Sequence, residues 1–73
     1  MSRAERFGRL ARRALEPGIS EEELWRVAEE MVELKRELRS EHGLSEGRAP
    51  FAEEVRLQFS RLKSLRANLG IDS

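Results

Sequence analysis

His42 is the only histidine in the sequence and the side chain best suited to proton transfer near neutral pH. A catalytic histidine usually needs a carboxylate that orients its ring, and Glu41 is the adjacent residue. Adjacent side chains on a helix point about 100° apart, so Glu41 is badly placed for this role. We therefore expect His42 to interact with the carbonyl groups and dipole of a helix end. The sequence predicts no catalytic residue.

A carboxylate metal site of the helical-bundle type would need inward-facing glutamates and a Glu-x-x-His motif. The residue three positions before His42 is Arg39, and the chain has no cysteine. The glutamates between residues 20 and 42 instead form a polar face with pairs such as Glu22–Arg26. No phosphate-binding glycine loop, dinucleotide fingerprint or nucleophile motif is present. The sequence therefore predicts a protein that is not an enzyme and binds no metal or cofactor.

Arginines are the remaining residues whose type and spacing could bind a ligand. Residues 1–16 carry five arginines against two glutamates, whereas residues 17–47 carry four basic and nine acidic residues. Guanidinium groups bind phosphate oxygens in a bidentate manner, so an arginine face on a helix could contact DNA or RNA. The alternative, which we favour, is that these arginines pair with acidic residues or are solvated. The candidate phosphate contacts are Arg6, Arg9, Arg12 and Arg13.

Length and overall charge limit the classes of protein that fit this chain. Its 73 residues allow one small domain, residues 1–73. Fourteen basic residues balance fourteen acidic ones, so no net positive charge attracts the chain to nucleic acid. No apolar stretch is long enough to span a bilayer, and no export signal is recognisable. The default expectation is a cytoplasmic protein that does not bind membranes.

Capping residues and apolar spacing predict three helices, at residues 2–15, 20–42 and 50–69. Ser2 and Ser20 are each followed three residues later by a glutamate, which is the pattern of a capping box. Gly43 and Gly70 suit the left-handed position that follows a helix. No strand-like alternation is present. The predicted fold class is all-α, a small three-helix protein in which the second and third helices form a long hairpin.

A wide apolar seam follows the second and third helices. Spacings of three and four residues repeat along the second helix, and its stripe is wide enough to contact two other helices. Because one chain of this size offers little core, we expect two hairpins to pair into a homodimeric helical bundle. A monomeric three-helix bundle is the alternative. The residues expected to mediate self-association are Leu24, Val27, Met31, Leu34, Leu38, Val55, Phe59 and Leu62.

Three positions near this seam have more than one interpretation. Trp25 and Leu57 would be anchors for a partner protein if they are exposed, since tryptophan is enriched at interface hot spots. The alternative for Trp25 is packing against the first helix. Gln58 interrupts the apolar stripe of the third helix. We favour a position at the rim of the stripe, where its amide contacts water. The alternative is a hydrogen bond to its own copy across a two-fold axis.

These patterns predict a small protein–protein interaction module, such as an adaptor, a regulator or an assembly subunit. The alternative is a nucleic-acid-binding regulator that uses the arginine face of the first helix. A second helix beginning with Glu21, Glu22 and Glu23 is unsuited to enter a DNA groove, which argues against a helix-turn-helix protein.

Overall fold

The computed structural model describes residues 2–41, 43 and 49–71, and it confirms the all-α fold class. The helices are α1 (Arg3–Ala14), α2 (Glu21–Glu41) and α3 (Phe51–Asn68). Each lies within two residues of its predicted bounds, which is the usual uncertainty of helix ends. The predicted role of His42 and residues 44–48 of the α2–α3 connection lie outside the described residues.

Local capping explains where the helices begin and end. The Ser2 hydroxyl accepts a hydrogen bond from the Glu5 amide at 3.1 Å, and the Glu5 carboxylate accepts one from the Ser2 amide at 2.9 Å. Ser20 makes the same bond with the Glu23 amide at 3.1 Å, so both capping boxes are confirmed. Gly70 follows α3 at a φ of +71°, where a side chain would strain the backbone.

Helix α2 is central, and the other two helices pack against it with only marginal contact between them. Ion pairs show the directions of the helices. Arg3, at the start of α1, pairs with Glu37 near the end of α2, and Lys63, late in α3, pairs with Glu21 at the start of α2. Both α1 and α3 are therefore antiparallel to α2, and the predicted hairpin of α2 and α3 is present.

One apolar core lies between the three helices. Six of the eight residues predicted to mediate self-association are buried in this single chain, and Leu38 and Phe59 are half-buried. A dimer formed through the buried members of this set would require the helices to separate. The six buried members are Leu24, Val27, Met31, Leu34, Val55 and Leu62.

Candidate functional site

Exposed apolar side chains are concentrated on α3 and its C-cap. Leu57 and Leu69 are each 55% exposed, Leu65 is 43% exposed and Phe51 is 36% exposed. At about 100° per residue these four side chains fall within about 120° of the helix circumference. We call them the α3 apolar sector. They are the only large hydrophobic side chains that are exposed in the described part of the chain. A partner anchor needs an exposed side chain, and Leu57 has one.

The sector remains exposed because α3 packs mainly against α2. The side of α3 that faces α2 presents Val55 and Leu62 to the core, together with the polar residue Gln58. By helical periodicity Leu57 points away from this buried stripe, whereas Phe51 and Leu69 share its direction and are exposed near the two ends of α3. Contiguous exposed apolar side chains on a small protein indicate a contact surface more often than isolated ones do.

Gln58 is 7% exposed, so the favoured expectation that it would meet water at the rim is wrong. Its side-chain oxygen accepts a hydrogen bond from Lys35 Nζ at 2.6 Å, and its amide group donates to Met31 Sδ at 3.3 Å. Both partners belong to α2 of the same chain. Gln58 therefore needs no second copy to satisfy its amide, and it fixes the register between α2 and α3.

Arg66 is a buried cation on α3 that the sequence analysis did not single out. It is 4% exposed, and its guanidinium donates hydrogen bonds to the carbonyl oxygens of Ala14 and Glu16, both at 2.8 Å. These carbonyls lie at and beyond the C-terminus of α1, where the helix dipole favours a positive charge. Arg66 therefore fastens the end of α1 to α3, two helices that otherwise touch marginally.

Two cavities flank Leu57 on opposite sides. The first, of about 480 Å³, lies on the outer surface and is lined by Ala49, Glu53, Arg56, Leu57 and Ser60. The second, of about 250 Å³, lies between α2 and α3. Its lining residues are Lys35, Arg39, Ala49, Glu54, Leu57, Gln58 and Arg61. Leu57 and Ala49 are shared, so the two cavities form one continuous surface, apolar on one side and cationic on the other.

Glu54 is the carboxylate of the second cavity, and two arginines hold it. Arg36 Nε donates to Glu54 Oε1 at 2.9 Å, and Arg39 Nη2 donates to Oε2 at 2.7 Å. Burial is the largest single influence on the pKa of Glu54 and would raise it. The hydrogen bonds and charges of Arg39 and Arg36 together outweigh burial, so the pKa lies below its ordinary value. Glu54 is therefore ionised at neutral pH.

The four arginines proposed as phosphate contacts on α1 differ in their ion pairs. Arg13 contacts Glu16 at 3.2 Å and Glu23 at 2.7 Å, so its charge is balanced within the chain. Arg6, Arg9 and Arg12 are exposed and make no ion pair with any described residue. Three of the four candidate phosphate contacts therefore lie open to solvent.

Trp25 is half-buried, and its ring packs against α3. The Trp25 and Phe59 rings meet edge to face, with centroids 5.2 Å apart and planes inclined by 63°. A partner anchor needs an exposed side chain, and Trp25 is only partly exposed. As the single tryptophan, Trp25 is a natural fluorescent probe of the contact between α2 and α3.

Sequence reasoning missed the roles of Lys35 and Arg66. A signal for Arg66 was present, because it follows Leu62 by four residues and so continues the buried stripe of α3. Because arginine is rarely buried without partners, the charge of Arg66 argued against a buried position. Lys35 carried no comparable signal, because its hydrogen bond to Gln58 joins residues that are distant in sequence.

None of the three described helices is long and apolar enough to cross a bilayer. In the same residues, no group of three or more His, Cys, Asp and Glu side chains is placed to hold a metal ion. Comparisons with known proteins give no match: no protein-family model, no curated protein and no solved structure is significantly similar to this chain.

Proposed function

We propose that the chain is a non-enzymatic protein–protein interaction module that binds a second copy of itself through the α3 apolar sector. The observation that carries this proposal is the clustering on one helix of every exposed large hydrophobic side chain in the described residues. An adaptor, regulator or assembly subunit located in the cytoplasm would fit such a module.

The composition of the surface around Leu57 supports contact with another protein chain. Arg56 and Glu53 line the cavity on one side of Leu57, and Arg61 lines the cavity on the other. An apolar centre with a polar, partly charged rim is the usual anatomy of a protein interface. A two-fold pairing of α3 with its own copy would cover Leu57 and bring the Glu53 carboxylate within range of basic residues from the other copy.

Replacing Leu57 by Asp is expected to convert a dimer into a monomer without loss of helix content. The substitution places a charge within the α3 apolar sector, and desolvating that charge at an interface is unfavourable. Leu57 is already exposed in the single chain, so the fold should tolerate the change. Light scattering after size exclusion should give twice the 8.5 kDa chain mass for wild type and 8.5 kDa for the variant.

Ala52→Asp is the matched control, because Ala52 is exposed on α3 outside the apolar sector. It adds the same charge to the same helix and should remain a dimer. The wild-type dimer should also persist at high salt, since apolar contacts respond little to ionic strength. A wild-type chain that is monomeric at every concentration would contradict self-association, and a dimeric Leu57→Asp variant would exclude this surface.

A second candidate function, nucleic-acid binding, is favoured by the open arginines of α1. Arg6, Arg9 and Arg12 follow each other at three-residue intervals, so they form a short ladder on the outer side of the helix. Contacts of this kind would position the protein on phosphates without reading the base sequence. Net neutrality of the chain weighs against this candidate relative to the first.

If α1 binds phosphates, the double substitution Arg9→Glu with Arg12→Glu should abolish binding to a labelled mixed-sequence DNA duplex. Three phosphate contacts predict a slope of about −2.7 in the logarithm of affinity against the logarithm of salt concentration. Fluorescence anisotropy measures both quantities. The control is Arg26→Glu with Arg56→Glu, which reverses two exposed arginines on the other helices. Equal loss in both double variants would show that α1 has no special role.

A further inference from the structure

The cavity of about 250 Å³ between α2 and α3 has an excess of positive charge. Lys35, Arg39 and Arg61 line it, and Glu54 is its single carboxylate. Both oxygens of Glu54 are already engaged, one by Arg36 and the other by Arg39. Among the described residues neither Lys35 nor Arg61 makes an ion pair. The Lys35 ammonium lies over the Phe7 ring, 6.0 Å from its centroid, and Glu54 is the carboxylate whose charge acts on it.

Hydrogen-bond donors in this cavity also lack acceptors. The Lys35 ammonium has three N–H groups, and its one hydrogen bond within the described residues goes to the Gln58 side-chain oxygen at 2.6 Å. Arg39 Nε is buried and has no acceptor in the described part of the chain. A buried donor without a partner is costly and is uncommon in native proteins. The two remaining N–H groups of Lys35 would be satisfied by an acceptor from outside the chain.

The Lys35 side chain is held in place, and its surroundings destabilise its charged form. Gln58, which accepts from Lys35, is itself fixed by its contact with Met31 Sδ at 3.3 Å. Burial, followed by the positive charge of Arg61, lowers the pKa of the Lys35 ammonium below its ordinary value. An anion beside Lys35 and Arg61 would remove the repulsion between these two cations.

We propose that this cavity binds an oxyanion, specifically the phosphate group of inorganic phosphate or of a small phosphomonoester. Lys35 Nζ and the Arg61 guanidinium would contact the phosphate oxygens. Arginine and lysine together are the usual donors to phosphate in proteins. Leu57 borders both this cavity and the apolar one, so the carbon part of an ester would lie against its side chain.

The test titrates the ¹⁵N-labelled protein with inorganic phosphate and, separately, with phenyl phosphate, at constant ionic strength set with sodium chloride. Saturable shifts of backbone and side-chain signals at Lys35, Gln58 and Arg61 are expected with at least one ligand. Tighter binding of phenyl phosphate would identify an ester as the ligand, whereas equal or tighter binding of inorganic phosphate would identify the free ion. Both results support the site.

Two variants test the residues. Arg61→Gln alters an exposed side chain and so should fold normally, and Lys35→Gln removes the half-buried ammonium. Each should weaken binding about tenfold or more, because each removes a charged donor to the anion. Arg56→Gln, on the other side of Leu57, is the matched control and should bind as wild type does. Shifts that rise without saturation, or equal affinity in Arg61→Gln and wild type, would overturn the proposal.

Discussion

Replacing Arg66 by Met is expected to lower the free energy of unfolding by about 2–4 kcal/mol. The methionine retains much of the side-chain volume but leaves the carbonyl oxygens of Ala14 and Glu16 without their donor. Charged hydrogen bonds of this kind contribute about 1.5–3 kcal/mol each, and the loss of two is partly offset because methionine removes the cost of burying a charge. A chain of 73 residues has a total stability of roughly 4–11 kcal/mol, so the loss is a large fraction.

Urea unfolding followed by Trp25 fluorescence and by helical circular dichroism measures this loss. Arg56→Met is the control, since Arg56 is exposed on the same helix and its replacement should change stability by less than about 0.5 kcal/mol. Amide exchange should quicken most in α1, because Arg66 is its main link to α3. An Arg66→Met variant as stable as Arg56→Met would show that this link does not hold α1.

Replacing Leu34 by Ala is expected to destabilise the chain by about 2–5 kcal/mol, the usual cost of an unfilled cavity in a core. Leu34 is 2% exposed in the single chain. The identical change at Leu57, which is 55% exposed, should cost less than about 0.5 kcal/mol in the monomer. Comparing the two variants isolates the effect of burial, because the same side chain is shortened in the same way at a core position and at a surface position.

Protein concentration decides between the two interpretations of the apolar seam. If Leu34 belongs to the core of one chain, the loss caused by Leu34→Ala is the same in dilute and concentrated samples. If Leu34 lies at an interface between copies, Leu34→Ala removes the concentration dependence of stability that a dimeric wild type shows. Chemical denaturation at several protein concentrations distinguishes these cases. The second result would contradict the packing of α2 described above.

The helices and most of their ends could be predicted from the sequence because the interactions that define them are local. The capping boxes at Ser2 and Ser20 join residues three positions apart. The ending of α3 is also local: Ile71 N–H donates to the carbonyl of Arg66, and Gly70 N–H donates to that of Ala67. These two bonds form a Schellman ending, with Gly70 at the left-handed position predicted from the sequence. The sequence left open whether Leu57 is exposed, and the structure shows that it is.

The contacts that define the candidate sites could not be predicted because their partners are far apart in the sequence. Arg66 reaches a carbonyl 52 residues away, and Lys35 meets Gln58 across 23 residues. Helical periodicity placed Gln58 within the apolar stripe, but a stripe does not reveal its partner. The same spacing fits a water-filled rim, a second copy and the α2 helix of the same chain.

The sequence by itself determined three amphipathic helices, their caps and the apolar face of each, since these depend on neighbours within about one turn. Only the tertiary structure decided that α1 and α3 cover the seam of α2 within one chain. It also placed Arg66 in the core and left one sector of α3 exposed. The physical reason is that apolar burial is non-directional: it requires each face to be covered but does not specify which surface covers it.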